Sequence, residues 1–330
     1  MTAGLRPAVV PTLMNFLAGL DEAGLGPILG PLVVGGVAMT GPAGADPWRL
    51  LRRHVCRRKA EKGKIRVADS KQVHQGPHGL RHLEETALTF WTALHGETPP
   101  TLADWLVQLG TDQQRLARCP WYSSLALPLP LAADRDWITL QAELVARALR
   151  EAELALVDIA VRAVDVEEWN DLIADTDNKS RAHFHAYAEV LGRLLGTAPP
   201  GSSGHVVADR CGGRMHYHAD LARLCPHARV EIEREAPAVS SYRVVGDSGT
   251  IAITFAERGE DRAFPTALAS CFAKYLRELM VEVMNRWFCA RVPGLLPTAG
   301  YWVDGNRFLA DLADHLGTLA IPRERLVRVR

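Results

Sequence analysis

The chain lacks most of the features that assign a protein quickly. Its 330 residues include only six cysteines, and no two of them (Cys56, Cys119, Cys211, Cys225, Cys271, Cys289) fall in a CxxC spacing. That argues against a thiolate zinc site and a disulfide scaffold, and points to a reducing compartment. No apolar run is long enough to span a bilayer. At the N-terminus a single Arg6 precedes an apolar stretch that Pro11 interrupts and Asp21 ends, a poor secretory signal. The expectation is a cytoplasmic protein with no membrane attachment. There is also no net charge, because Lys+Arg and Asp+Glu each number 38, so overall charge does not advertise a polyanionic partner. With 48% hydrophobic residues, the chain can bury one large core, or one core plus a smaller appendage.

What is present begins at Leu20-Asp21-Glu22-Ala23-Gly24-Leu25-Gly26-Pro27, which continues through Ile28-Leu29-Gly30-Pro31. The flanks Met14–Leu20 and Leu32–Met39 are rich in apolar and branched residues, as expected of two buried strands. The glycines and prolines between them mark a shaped loop. Two adjacent carboxylates at the edge of a sheet suit hard, oxygen-seeking cations such as Mg2+ or Mn2+. In the alternative reading, Asp21 caps a turn and Glu22 is solvated.

Charge is unevenly spread. Arg52, Arg53, Arg57, Arg58, Lys59, Lys62, Lys64, Arg66 and Lys71 are opposed over that stretch only by Glu61 and Asp69. Such a block either tracks a phosphate backbone or forms a solvated face. It runs into Asp69-Ser70-Lys71, where Lys71 can meet a phosphate or pair with Asp69. A helix is expected over Gly79–His95. Residues 96–137 follow, rich in proline and aromatics, and read as an irregular packed insertion. Leu140–Leu156 reads as helix, Ala155–Val164 as strand, Val166 onward as helix and Ala182–Leu195 as helix. His183 and His185 lie two apart on that last helix, so they point to different faces and read as ordinary core or surface histidines. His205–Asp209 is a short strand ending in an acid, which in a parallel arrangement lies about 5 Å from the end of a neighbouring strand. Asp209 is therefore a candidate partner of Asp21, or else the cap of a helix at Arg214–Leu224. Tyr242–Val245 and Thr250–Phe255 read as a hairpin with Gly246-Asp247-Ser248-Gly249 at its tip.

Asp21-Glu22-Ala23-Gly24, Gly26-Pro27 and Gly30-Pro31 resemble the opening motif of the type 2 ribonucleases H (ribonucleases HII and HIII). The segment Ala269-Ser270-Cys271-Phe272-Ala273-Lys274, continuing to Arg277-Glu278, is similar to a second motif of that family. Asp69-Ser70-Lys71, the strand ending at Asp209, and Gly300-Tyr301 follow in the family's order. Leu25 departs from it, standing where the family has arginine or lysine, and the His-Lys that precedes the family's Gly-Tyr is absent.

The resemblance implies a divergent member with an α/β ribonuclease H-like fold. Its sheet would have about five mixed strands, the first three antiparallel and the last two parallel, flanked by helices. The expected organisation is a catalytic domain over residues 1–290, with an insertion at about 97–148, and a small C-terminal helical segment over 291–330. The implied reaction is hydrolysis of the RNA strand of an RNA–DNA hybrid by a two-metal-ion mechanism using Mg2+ or Mn2+. Asp21, Glu22, Asp209 and Asp261 would be both catalytic residues and metal ligands. Asp261 is preferred to Asp247 because a hairpin tip is usually remote from a metal centre, and Glu260 is a further candidate. Gly24, Leu25, Gly26, Lys71, Ser270, Lys274 and Tyr301 would meet the substrate, and the protein is expected to act as a monomer. Two other classes remain: a nucleic-acid-binding relative without the activity, suggested by Leu25 and the insertion, and a metal-dependent phosphoesterase on small substrates, against which the 52–71 block argues.

Overall fold

The computed structural model describes residues 14–246 and 249–329. The stretch containing Arg6 and Pro11, and the Asp247-Ser248 pair, lie outside the described residues. Seven strands form the main sheet: β1 (Met14–Ala23), β2 (Leu32–Pro42), β3 (Ala155–Val164), β4 (Ser202–Asp209), β5 (Arg229–Ala236), β6 (Val239–Gly246) and β7 (Gly249–Ala256). Their spatial order is β3-β2-β1-β4-β7-β6-β5. β2 runs antiparallel to both β1 and β3, while β4 is parallel to β1 and β7 is parallel to β4. That inner arrangement is the ribonuclease H-like plan expected from the sequence.

The sheet is larger than expected, because β6 and β5 extend it as an antiparallel meander. β5 reads Arg-Val-Glu-Ile-Glu-Arg-Glu-Ala and is largely solvated. A charged, solvated edge strand carries little hydrophobic period, though its charges protect the sheet edge from pairing with another chain.

Six longer helices cover the sheet: α1 (Gly79–His95), α2 (Arg135–Glu151), α3 (Val166–Thr176), α4 (Lys179–Gly196), α5 (Phe264–Cys289) and α6 (Trp302–Leu312). Asp134, Asp165 and Asn178 cap α2, α3 and α4 with side-chain oxygens on free backbone N–H groups. α1 stops at Gly96, whose φ of 88° is the left-handed geometry that ends helices. β2 alternates between the faces. Val33, Val37 and Met39 join α1, α5 and α6 in one core layer, while Leu32, Val34 and Ala38 join α4 in the other. A strand covered on both faces loses the polar half of its alternation, hence its nearly continuous apolar run.

Helix α5 approaches β1 and β2 unusually closely. A Cβ on Gly19 would lie 2.1 Å from the Thr266 nitrogen, and one on Gly35 would lie 2.3 Å from the Ala269 oxygen. These two glycines let α5 lie directly on the sheet, which brings Ser270 up beneath the end of β1.

The insertion is more regular than its composition suggests, with short helices at Leu102–Gln108 and Gln113–Leu116 and a turn of 3-10 helix at Pro120–Tyr122. Trp105 packs on Tyr275, and Trp121 on Phe288, so it shares the core of α5. The buried Glu84 carboxylate pins its far end by accepting the N–H groups of Leu131, Ala132 and Ala133, each at 2.6 Å, and the Tyr275 hydroxyl. The helix expected over Arg214–Leu224 covers only His218–Leu224. Its first turn is displaced because the Arg214 guanidinium packs over Phe184 and Tyr217 and pairs with Asp220. Phe308, Leu312, Ile321 and Leu326 from the C-terminal region belong to the same core layer as Phe272 and Leu276. Among the described residues, no helix is long and apolar enough to cross a membrane, and all six cysteines are unpaired.

Candidate metal centre and nucleic-acid interface

Parallel pairing of β1 with β4 sets Leu20 opposite Ala208, so the next residues, Asp21 and Asp209, come out level at adjoining strand ends. Glu22 follows, and the three side chains each offer an oxygen such that all three oxygens lie within 4.8 Å of one another. This is the only such group of three or more potential ligands among the described residues.

The cluster strains against its own charge. Burial, then the charges of Glu22 and Asp209, hold the Asp21 carboxyl well above the usual carboxylate range, with the nearby Ser270 hydroxyl acting in the opposite sense. Burial pushes Glu22 up to about 7, although the Tyr187 hydroxyl donates to it and the Lys71 ammonium favours its charged form. Asp209 is also raised by burial, against the Gly259 N–H that donates to it at 3.0 Å. Oxygen-only donors crowded beyond what water would tolerate are the donor set of a hard divalent cation, so these residues fit Mg2+ or Mn2+.

The expectation that Asp261 completes the group is not met. Its carboxylate faces Arg258 at 2.5 Å and Arg57 at 4.0 Å, and its backbone carbonyl accepts from Arg57. In the short 3-10 turn Gly259–Asp261 it is Glu260 whose charge is felt by the cluster, although its carboxylate is not among the three gathered oxygens. Burial and then the charge of Asp209 raise Glu260, which in turn raises Asp21. Asp247 lies outside the described residues. Its neighbour Gly249 pairs with Ser202, at the opposite end of β4 from Asp209, roughly 20 Å away along the strand.

The substrate candidates divide. Lys71 is exposed, and its charge acts on Glu22 and Asp209. Asp69 caps the following turn through the Lys71 backbone N–H at 2.9 Å. Gly26 is exposed and Leu25 half-buried, its side chain packed toward the core beside α4. Gly24 has a φ of 94°, and a Cβ there would sit 2.5 Å from the Pro31 oxygen, so the loop requires glycine at this point. Tyr301 is exposed, with Arg277 over its ring.

Two candidates do not reach a substrate. Ser270 is buried, its hydroxyl donating to Ser70 Oγ at 2.9 Å, so it braces the Ser70 turn against α5. Lys274 is largely buried in an ion pair with Glu278 at 2.6 Å. Reasoning from sequence missed the wall behind Glu22. His183 is buried 3.8 Å from it, and Tyr187, one turn further along α4, hydrogen-bonds it. Burial first, and then the neighbouring cations, hold His183 neutral, down to about 3. The i, i+4 spacing of His183 and Tyr187 was the available signal. His185 points elsewhere, to Glu189.

No family model and no curated protein matches the sequence. Among solved structures the chain is similar to Archaeoglobus fulgidus ribonuclease HII, solved in complex with PCNA, at 17% identity over 96% of this chain and 94% of that one, with a TM-score of 0.42. It is also similar to a Bst ribonuclease HIII in complex with Mn2+ (12% identity, 100% of this chain and 72% of that one, TM-score 0.43) and to Pyrococcus horikoshii ribonuclease H2 (14%, 94% and 92%, TM-score 0.36). At such identities and TM-scores, what bears weight is this chain's own strand order and carboxylate cluster. By that strand order the fold is α/β and ribonuclease H-like, and in the order of its motifs the chain resembles the type 2 ribonucleases H.

Proposed function

We propose that the protein is a divalent-metal-dependent endonuclease that hydrolyses the RNA strand of RNA–DNA hybrids. The observation that carries this is the level placement of Asp21 and Asp209 on parallel neighbours, with Glu22 beside them and oxygens within 4.8 Å. Asp21 and Asp209 would hold Mg2+ or Mn2+ jointly, flanked by Glu22 and Glu260, in the two-metal manner of in-line phosphodiester hydrolysis. Bound cations supply activation of water at neutral pH and neutralise charge on the leaving 3′-oxygen.

The chain's own residues do the rest. Tyr187 orients Glu22, the Gly259 N–H orients Asp209, and Ser270 ties the Ser70-Lys71 turn to the same helix that lies under Asp21. Lys71, exposed and close enough for its charge to act on Glu22 and Asp209, would meet a backbone phosphate beside the cluster. Gly24 and Gly26 let the loop backbone approach a ribose, whose 2′-hydroxyl distinguishes RNA from DNA. Exposed cations of the 52–71 block extend the favourable field for a polyanion. A reducing, cytoplasmic setting suits the six unpaired cysteines.

The test is cleavage of three end-labelled duplexes (continuous RNA–DNA hybrid, DNA with one ribonucleotide, and double-stranded RNA), each with Mg2+ and with Mn2+. Cation-dependent cleavage of the hybrid to 3′-hydroxyl and 5′-phosphate ends is expected, with little cleavage of double-stranded RNA. Salt-dependent hybrid binding without cleavage under either ion would refute the enzymatic reading and leave a binding protein.

A further inference from the structure

The loop from Gly24 to Pro27 carries no cationic side chain of its own, yet a buried one lies beneath it. Arg328 comes from the C-terminal segment, about three hundred residues away in sequence, and is only 4% exposed. One of its guanidinium nitrogens, Nη2, donates to the carbonyls of both Gly24 and Pro27. Its backbone N–H donates to Ile28 O at 2.9 Å. The other two nitrogens, Nε and Nη1, are buried without a partner. No carboxylate pairs with it among the described residues. The charged group beside it is the Arg277 guanidinium, also buried with an unpaired Nε; the buried Tyr122 phenol also acts on it, and the neutral His183 behind Glu22 feels Arg328 as a repelling charge.

The segment that delivers it is firmly held. Trp169 Nε1 donates to Val329 O at 3.0 Å, Asn170 Nδ2 donates to Val327 O and its Oδ1 accepts from Val329 N–H, and the guanidinium packs over the Trp169 ring. A buried, unpaired cation is costly and persists only where its surroundings impose it. Burial brings Arg328 down to about 9, which still leaves it charged at neutral pH.

Above this guanidinium, the N–H groups of Leu25 and Gly26 take part in no hydrogen bond among the described residues. Gly26 is exposed and nothing would crowd a Cβ on it, so the loop is open at this residue. The Gly24 carbonyl, turned inward onto the arginine, points the Leu25 N–H of the same peptide outward, and with the unbonded Gly26 N–H beside it the loop offers an anion-accepting backbone with a desolvated positive charge behind it.

We propose that Arg328 is the positioning and charge-supplying residue of the Gly24–Pro27 loop: by gripping the loop carbonyls from within, it presents the Leu25 and Gly26 N–H groups to a phosphate or ribose oxygen of the nucleic acid. For its ligand, this inference rests on the nuclease reading above. The grip itself does not.

Two measurements on Arg328→Met and Arg328→Lys test it. The first is binding of a labelled RNA–DNA hybrid with Ca2+ in place of Mg2+, alongside direct titration with Mn2+. Arg328→Met is expected to weaken hybrid binding roughly ten- to a hundredfold, the loss of a charge-assisted contact. Mn2+ binding should be unchanged or tighter, because removing a neighbouring cation cannot disfavour a metal, whereas a collapsed site would lose both. Arg328→Lys keeps the charge without the fork and should show an intermediate loss; it also serves if the Met variant does not fold. The second is amide exchange at Ile28 and Leu29, which donate to Gly300 O in the intact loop. Exchange there should quicken about tenfold in Arg328→Met. Unchanged hybrid binding by a variant of a wild type that does bind overturns the proposal. A wild type that binds no hybrid overturns the nuclease reading instead, and unaltered exchange at Ile28 and Leu29 then overturns the grip as well.

Discussion

The sharpest physical consequence of the acidic cluster is that, without metal, it destabilises the protein that carries it. Glu22 provides the cleanest measure, since burial raises it from an ordinary 4.5 to about 7. A carboxyl raised in the folded state binds its proton more tightly there than in the unfolded chain. It therefore adds stability that is full below about 4.5 and is lost as pH rises through about 7. At about 1.4 kcal/mol per pH unit, the part lost between pH 5 and pH 8 is about 2.5 kcal/mol.

His183 acts in the opposite direction, since a histidine held neutral by burial loses stability on acidification. The perturbation must therefore isolate Glu22, and Glu22→Gln does so, because His183 is common to both proteins and cancels. With chelator present, the variant should gain on wild type by about 2.5 kcal/mol between pH 5 and pH 8. With an unfolding entropy of about 2 cal/mol/K per residue, that is a difference of about 4 °C in melting temperature. Saturating Mn2+ at pH 8 should close most of that gap, as a ligand at a hundred times its Kd adds about 2.7 kcal/mol to the protein that binds it. Thermal unfolding at four pH values, with and without Mn2+, reads all of this. If Glu22→Gln tracks wild type across the range, or loses on it between pH 5 and pH 8 under chelator, Glu22 is not held in a crowded acidic site and the reasoning fails.

Asp21→Asn and Asp209→Asn keep side-chain shape but remove ligand charge; each should lower hybrid cleavage at least about a hundredfold, several kcal/mol of transition-state stabilisation, in a folded protein, and near-normal single-turnover rates would count against the site. Glu260→Gln should reduce activity and raise the Mn2+ concentration needed for half-maximal rate, while Asp261→Asn should do so far less, because its carboxylate is already taken by Arg258 and Arg57; the reverse ranking would restore Asp261 as the fourth ligand. Glu84→Ala leaves three backbone N–H groups and the Tyr275 hydroxyl without their acceptor. It should cost at least about 3 kcal/mol in denaturant unfolding, and a loss below about 1 kcal/mol would mean that the insertion is not pinned there.

The inner sheet was legible because its strands bury both faces and so read as unbroken apolar runs, and because the acids stand at their ends. The edge strand β5 was not, since solvent on both sides removes the hydrophobic period on which such a reading depends. Asp21, Glu22 and Asp209 were found from a motif plus the geometry of parallel neighbours. The choice between Asp261 and Glu260 turns on how a three-residue 3-10 turn rotates adjacent side chains, and no pattern of residue types specifies that rotation. Ser270 and Lys274 were assigned to the substrate by their motif, yet both are engaged within the protein, Ser270 with the Ser70 hydroxyl and Lys274 with Glu278, contacts between distant or one-turn-apart residues that the motif alone does not reveal. Arg328 was invisible from sequence, because a lone arginine near a chain end has no local signature.

Seen together, the charges around the end of β1 are arranged in depth. Three carboxylates crowd the mouth of the site, with a fourth in their field, and divalent cations would relieve their mutual repulsion. Two guanidiniums, Arg277 and Arg328, are buried under the adjoining loop, and neither is neutralised in full: Arg277 meets Glu278 at 3.3 Å and Ala299 O at 3.0 Å, and Arg328 meets carbonyls alone. Folding alone satisfies neither set. On the proposed function, a polyanion lying across the loop with cations at its scissile phosphate would satisfy both at once, its phosphates drawn to the guanidiniums and loop N–H groups and its metal ions to the carboxylates. Such complementarity would make substrate and metal binding mutually reinforcing. On the proposed function it would also let a chain of zero net charge single out a nucleic acid: the charges concerned are few, buried and incompletely paired, and the remainder cancel on the surface.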